Sequence, residues 1–194
     1  MSFKEESNPE DHYLDSALRG EQAGLEYLVN AYQVMAYTIA IRIVTNAEDA
    51  EEVVQDSFLK AFKYLNRFKR TSKFSTWLYR IIYNTALTKI GTKKHVTQGL
   101  EENNEHVEYV SNENSGLQRL ADADRKKYLD IAMKKLKKED QLIITLHYIA
   151  EKSITEITEI MGMNTSAIKM RLFRSRKQLE LELKRLLNRE ISEL

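Results

Sequence analysis

Apolar residues recur along most of this chain at three- and four-residue intervals, and no apolar–polar alternation lasts long enough to suggest a strand. Leu25, Leu28, Tyr32, Met35, Ile39 and Ile43 form one such row and predict a helix from about Glu21 to Val44. Ahead of it, Ser7 or Asn8 can cap a short first helix that has Pro9 in its first turn. Behind it, Asn46 caps a third helix reaching about Leu65, with Glu48 and Asp49 set against the positive end of its dipole. Residues 66–75 (NRFKRTSKFS) break the pattern and predict a polar, basic loop. Ser75 then caps a fourth helix, Thr76 to Ile90, with Trp77, Leu78 and Ile81 inward and Gly91 at its end.

The stretch 92–120 is polar and acidic, without an apolar period, and reads as a linker. A flexible linker of that length spans about 30 Å when relaxed and about 100 Å when taut. From about Ala121 the helical pattern returns, in a stripe of Leu129, Met133, Leu136, Leu142, Ile143, Leu146 and Ile149. Ser153 and Glu156 then form an S-x-x-E capping box ahead of inward-facing Ile154, Ile157 and Ile160. Met161-Gly162-Met163-Asn164 makes a short turn, and another helix starts near Thr165. Two short helices joined by a tight glycine turn are the helix-turn-helix pattern. The expected fold is therefore all-α: two small helical bundles, residues 1–91 and 121–194, joined by a flexible acidic linker over 92–120.

Charge sharpens this picture because it is segregated although the net charge is only +1. Residues 57–100 hold ten Lys or Arg, no acid, and eight of the chain's seventeen aromatics, a pairing that suits single-stranded nucleic acid: cations track phosphates and rings stack on unpaired bases. Residues 160–179 hold five bases and no acid. Acidic blocks precede and separate the two basic ones, so two distinct anionic contacts are expected rather than mixed, solvated helix faces.

On a helical wheel Ile168, Leu172, Ser175 and Leu179 share one face of the last helix. Ser166, Met170, Phe173, Arg174 and Lys177 lie opposite, flanked by Lys169, Arg171 and Arg176. An apolar back and a basic, small-polar front make a recognition helix, since Arg bonds guanine bidentately and Lys or Ser reaches phosphate. Met170 and Phe173 suit either thymine methyls or a protein partner. In the fourth helix Arg80, Asn84 and Thr88 form an i, i+4, i+8 polar row able to line a nucleic-acid groove.

Catalytic chemistry finds no footing. The four histidines are isolated, and there is no phosphate loop, nucleophile elbow or metal-ligand spacing, so no catalytic residue, metal or cofactor is expected. The chain has no cysteine, no apolar run near the roughly 20 residues that span a bilayer, and a polar start unlike a signal peptide. A soluble cytoplasmic protein without membrane insertion is the expectation.

The run DAEEVVQDSFLKAF, then FSTWLYRIIYNTAL, an acidic linker, and EITEIMGMNTSAIKMRLFRSRKQL resembles the extracytoplasmic-function sigma factors of bacterial RNA polymerase, the small two-domain members of the sigma-70 family. The likeness covers about residues 10–90 and 120–187. It implies that the first bundle is sigma region 2 and the second region 4, with core RNA polymerase and promoter DNA as partners and an anti-sigma factor as inhibitor. Glu48, Glu51, Glu52, Gln55 and Asp56 would then contact the polymerase. Arg67, Phe68, Lys69, Arg70, Lys73, Phe74, Trp77, Arg80 and Asn84 would recognise and melt the −10 element. Thr165, Ser166, Lys169, Arg171, Arg174, Arg176 and Lys177 would read the −35 duplex. The chain departs from the family pattern at Thr88, Gly91, Lys137, Thr158 and Ser175, which alters the detail of promoter reading and not the fold. The rivals are an ordinary helix-turn-helix repressor or activator, which would need no ring-studded basic loop, and a non-DNA adaptor or enzyme in which the basic blocks would be incidental.

Overall fold

A computed structural model describes residues 9–96 and 116–192, and every regular element among them is helical. The chain divides into two compact units, Met1–Glu102 and Asn103–Leu194.

Four helices build the first unit: α1 (Pro9–Leu18), α2 (Gln22–Val44), α3 (Ala47–Lys63) and α4 (Phe74–Val96). Leu28 and Ile39 of α2, Val53 of α3, and Leu78 and Ile82 of α4 are fully buried and form its centre. α1 and α2 approach to backbone contact: a Cβ on Gly24 would lie 2.3 Å from the Ala17 nitrogen and 2.6 Å from the Tyr13 carbonyl oxygen. The Tyr13 and Tyr27 rings stack at 3.8 Å across the same seam, and the Tyr32 hydroxyl donates to Glu10. Asn46 caps α3 as its side chain predicts, Oδ1 accepting from the Asp49 amide at 2.8 Å.

The fourth helix differs from expectation at both ends. It opens at Phe74, and the Lys73 carbonyl accepts from the amides of Thr76 (3.0 Å) and Trp77 (3.2 Å), so Ser75 lies inside the helix and does not cap it. Phe74 is drawn into the bundle, and that burial outweighs the serine's capping preference. At the far end α4 runs through Gly91 to Val96. A lone glycine inside a helix costs only about 1 kcal/mol relative to alanine and does not terminate it unaided. The loop is also shorter than predicted, because Leu65–Arg67 winds into one 3₁₀ turn.

The second unit contains α5 (Gly116–Lys134), α6 (Lys138–Ile144), a single π turn (Thr145–Ile149), α7 (Ile154–Met161) and α8 (Thr165–Ser192). Its helical pattern thus begins five residues before Ala121. Of the expected linker 92–120, residues 92–96 end α4 and 116–120 open α5; 97–115 lie outside the described residues. Leu142, Ile143, Leu146, Ile157, Ile160 and Ile168 form the core. Ile149, placed in the apolar stripe by its spacing, is instead 55% exposed. The π turn adds a residue to the helical repeat, so Leu146 stays inside while Tyr148 and Ile149 rotate outward. Leu129 likewise faces solvent. No described helix is long and apolar enough to cross a membrane.

Candidate nucleic-acid interface

Two exposed basic surfaces exist, one on each unit, and they are built differently. On the first unit, Phe68, Phe74 and Trp77 form a ring triangle with centroids 5.3–5.7 Å apart, and Tyr32 of α2 closes on Phe74 at 5.5 Å. Phe68 and Trp77 are half-buried, so each keeps an edge toward solvent. Phe74, expected at the DNA, is only 2% exposed: it is the inner ring on which the other two rest. Lys69 and Lys73 are exposed around this cluster, and Arg80, Asn84 and Thr88 emerge in line from α4. Arg67 sits over the Tyr64 ring at 4.9 Å, a cation–π contact that keeps the guanidinium at the surface. Arg70, also expected at the DNA, is committed elsewhere: its guanidinium bonds Asp15 and lies 3.7 Å from Asp11, both on α1.

α3 turns a different chemistry outward. Glu48, Glu51, Glu52, Gln55 and Asp56 are all exposed along it. Glu52 pairs with Lys89 of α4 at 2.5 Å, and Lys89 also reaches Asp49 at 3.7 Å. The bond to Glu52 holds the Lys89 ammonium above its ordinary pKa. Among these polar groups stands Leu59, 68% exposed, three residues beyond Asp56 and four beyond Gln55. Sequence reasoning passed over it, although its wheel position between Glu48 and Glu52 on the charged face marks it.

The second surface is α8. Ser153 and Glu156 complete the capping box of α7: the Ser153 amide donates to Glu156 at 2.9 Å and the Glu156 amide to the Ser153 hydroxyl at 3.2 Å. Gly162 takes the left-handed conformation, φ 66°, that the tight turn requires. Asn164 then caps α8, accepting from the Ala167 amide at 2.7 Å. Ile168, Leu172 and Ser175 are buried, while Thr165, Ser166, Lys169, Arg174, Arg176 and Lys177 are exposed. Met170 and Phe173 stand on the same outward face at 50% and 65% exposure. Arg171 is the exception among the predicted DNA contacts. It turns back onto α6 and pairs with Glu139 at 2.7 Å and Asp140 at 2.9 Å.

This geometry meets its counterpart in known families. Residues 28–95 match the family model for sigma-70 region 2, and residues 126–179 match that for sigma-70 region 4. The chain belongs to the sigma-70 family. Within it the likeness is to the extracytoplasmic-function sigma factors. The sigma factor SigW of Bacillus subtilis is 28% identical over 172 residues, covering 86% of this chain and 92% of its own. The extracytoplasmic-function sigma-E factor of Escherichia coli is 28% identical over 182 residues, covering 88% and 92%. Two solved structures share the fold. The sigma factor RpoE from Bartonella quintana, in complex with the anti-sigma factor NepR, superposes with TM-score 0.64 at 22% identity, covering 82% of this chain and 96% of its own. CnrH in complex with the cytosolic domain of CnrY gives 0.61 at 22% identity, covering 91% and 98%. In this sigma factor the ring cluster and polar row therefore belong to region 2, and the recognition helix to region 4.

Proposed function

We propose that this chain is a dissociable initiation subunit of RNA polymerase that acts in the cytoplasm by binding alone and catalyses no reaction itself. Region 2 docks on the core enzyme through the outward face of α3, with Glu48, Glu51, Glu52, Gln55 and Asp56 as polar contacts and Leu59 as an apolar one. Region 4 lays α8 in the −35 duplex. Ser166, Arg174 and Lys177 face base edges there, while Thr165, Lys169 and Arg176 meet phosphates. The loop after α3 and the exposed row of α4 take the −10 strand. Lys69, Lys73 and Arg67 hold its phosphates, Phe68 and Trp77 offer edges for stacking, and Arg80 and Asn84 hydrogen-bond a displaced base. Flipping a base costs a few kcal/mol, and aromatic stacking returns about 1–3 kcal/mol per base, so captured bases shift the duplex toward its open form.

The observation that carries this reading is the contrast between the two basic surfaces. One is an apolar-backed helix that carries no acid from Thr165 to Leu179, and the other a loop whose half-buried rings rest on a buried third. A duplex reader needs the first and has no use for the second. The two structural neighbours are complexes whose partners include an anti-sigma factor and a cytosolic domain, which supports an anti-sigma protein as the inhibitor.

The test is run-off transcription from genomic fragments with purified chain and core polymerase. Promoter-specific transcripts that appear only with both components are the expected result. Their absence, with the core shown active and no inhibitor present, would overturn the proposal.

A further inference from the structure

Arg70 combines an unfavourable backbone with a side chain drawn to two carboxylates. Its φ is 53°, in the left-handed region. That conformation costs a side-chain-bearing residue about 1–2 kcal/mol and is glycine's natural place. A residue of this kind persists there when its surroundings over-determine it and its side chain is needed. The guanidinium bonds Asp15 and lies 3.7 Å from Asp11, two carboxylates one helical turn apart on α1.

α1 is itself held firmly. It touches α2 at Gly24 where no Cβ fits, stacks Tyr13 on Tyr27, and binds Tyr32 through Glu10. Its last turn is tied by Ser16, which donates to Glu21 at 2.7 Å. The loop is thereby fastened at two points, Phe68 and Phe74 in the ring cluster and Arg70 on α1, while Lys69 and Lys73 remain exposed. α1 lies ahead of the matched region 2 segment, which begins at Leu28.

We infer that Asp11 and Asp15 are positioning residues for promoter opening: acting through Arg70, they hold the loop so that Lys69, Lys73 and Trp77 face the single strand. Arg70 serves as the clasp and does not bond DNA. This rests on the −10 role proposed above.

The test measures promoter-opening rate with full-length chain and core enzyme, beside core affinity and thermal unfolding. The D11N/D15N variant opens promoters about fivefold more slowly, in line with the roughly 1 kcal/mol that an exposed ion-pair cluster supplies. Its core affinity stays unchanged, and its unfolding temperature falls by no more than the several degrees that the same roughly 1 kcal/mol represents. If Arg70 instead contacted DNA, freeing it from two carboxylates would speed opening. D15R alone, which sets two cations against each other, slows opening, and the swap R70E/D15R restores it to within about twofold. Equal or faster opening by D11N/D15N, or no recovery in the swap, overturns the clasp. If the wild-type chain opens no promoter at all, the underlying −10 reading falls first.

Discussion

Arg171 of α8 and Asp140 of α6 meet at 2.9 Å, with Glu139 closing on the same guanidinium at 2.7 Å. An arginine on the recognition helix is thus an internal brace that sets how α8 lies on its bundle. Its neighbour Arg174 is exposed on the outward face of the same helix.

The two arginines are therefore separable. R171A should remove a part-buried, charge-assisted contact worth about 1–3 kcal/mol and lower the stability of the second unit. R174A should leave stability within about 0.5 kcal/mol and weaken −35 duplex binding by about 1–3 kcal/mol. Trp77 is the only tryptophan, so its fluorescence follows the first unit alone, whereas helical circular dichroism follows both. R171A should shift the dichroism transition and leave the fluorescence transition in place. A loss of −35 binding by R171A with no change in either transition would contradict the brace.

Phe74 and Lys69 make the corresponding pair in the first unit. Phe74, packed against Tyr32, Phe68 and Trp77, is a core ring, and F74A should cost about 3–5 kcal/mol, seen as a lower unfolding midpoint by Trp77 fluorescence. K69A should leave that midpoint unchanged and slow promoter opening. Its apparent DNA affinity should depend less steeply on salt, since one fewer phosphate is neutralised. A stable F74A protein with defective opening would return Phe74 to the DNA surface.

What the sequence shows clearly is local chemistry. The capping box of Ser153 and Glu156, the turn at Gly162 and the two faces of α8 each depend on residues within a few positions of one another, and each is present in the structure. Phe74 was misplaced because its burial depends on Tyr32, far back on α2, which outranks the capping preference of Ser75 next door. Ile149 faces outward because one π turn shifts the helical phase, and no residue type there announces such a turn. Arg70 and Arg171 read as DNA contacts from charge, from their places in the basic loop and on the flank of the last helix, and from the family resemblance. Their carboxylate partners lie 55 and 31 residues away, beyond the reach of any periodicity.

Leu59 tests the docking face of α3. An exposed leucine amid carboxylates contributes nothing to the bundle, but burying it in a complex is worth about 1.5–3 kcal/mol. L59D should therefore weaken core-polymerase affinity by about tenfold or more, measured by competition against the wild-type chain, with an unchanged Trp77 fluorescence midpoint. Glu51→Ala, at the helix's exposed polar face, should have a smaller effect. Undiminished core affinity in L59D would move the docking surface away from this part of α3.

Tyr79 gives the first unit a dependence on high pH. Burial, seconded by the nearby Glu10 charge, pushes its phenol up from 10 to about 12. A group whose pKa is higher in the folded state stabilises the fold fully below its unfolded value and loses that contribution as pH rises through the folded one. The window here is therefore pH 10 to 12, and the contribution is on the order of 2 kcal/mol. Tyr32 ionises later still, raised by burial and by its bond to Glu10, so it remains a neutral donor throughout that window. In Y79F the ring stays and the ionisable hydroxyl goes. Denaturant midpoints followed by Trp77 fluorescence should fall more steeply with pH in the wild type than in Y79F across this range. Parallel losses in the two proteins would mean that the lysines and surface tyrosines, and not the buried phenol, set the alkaline limit.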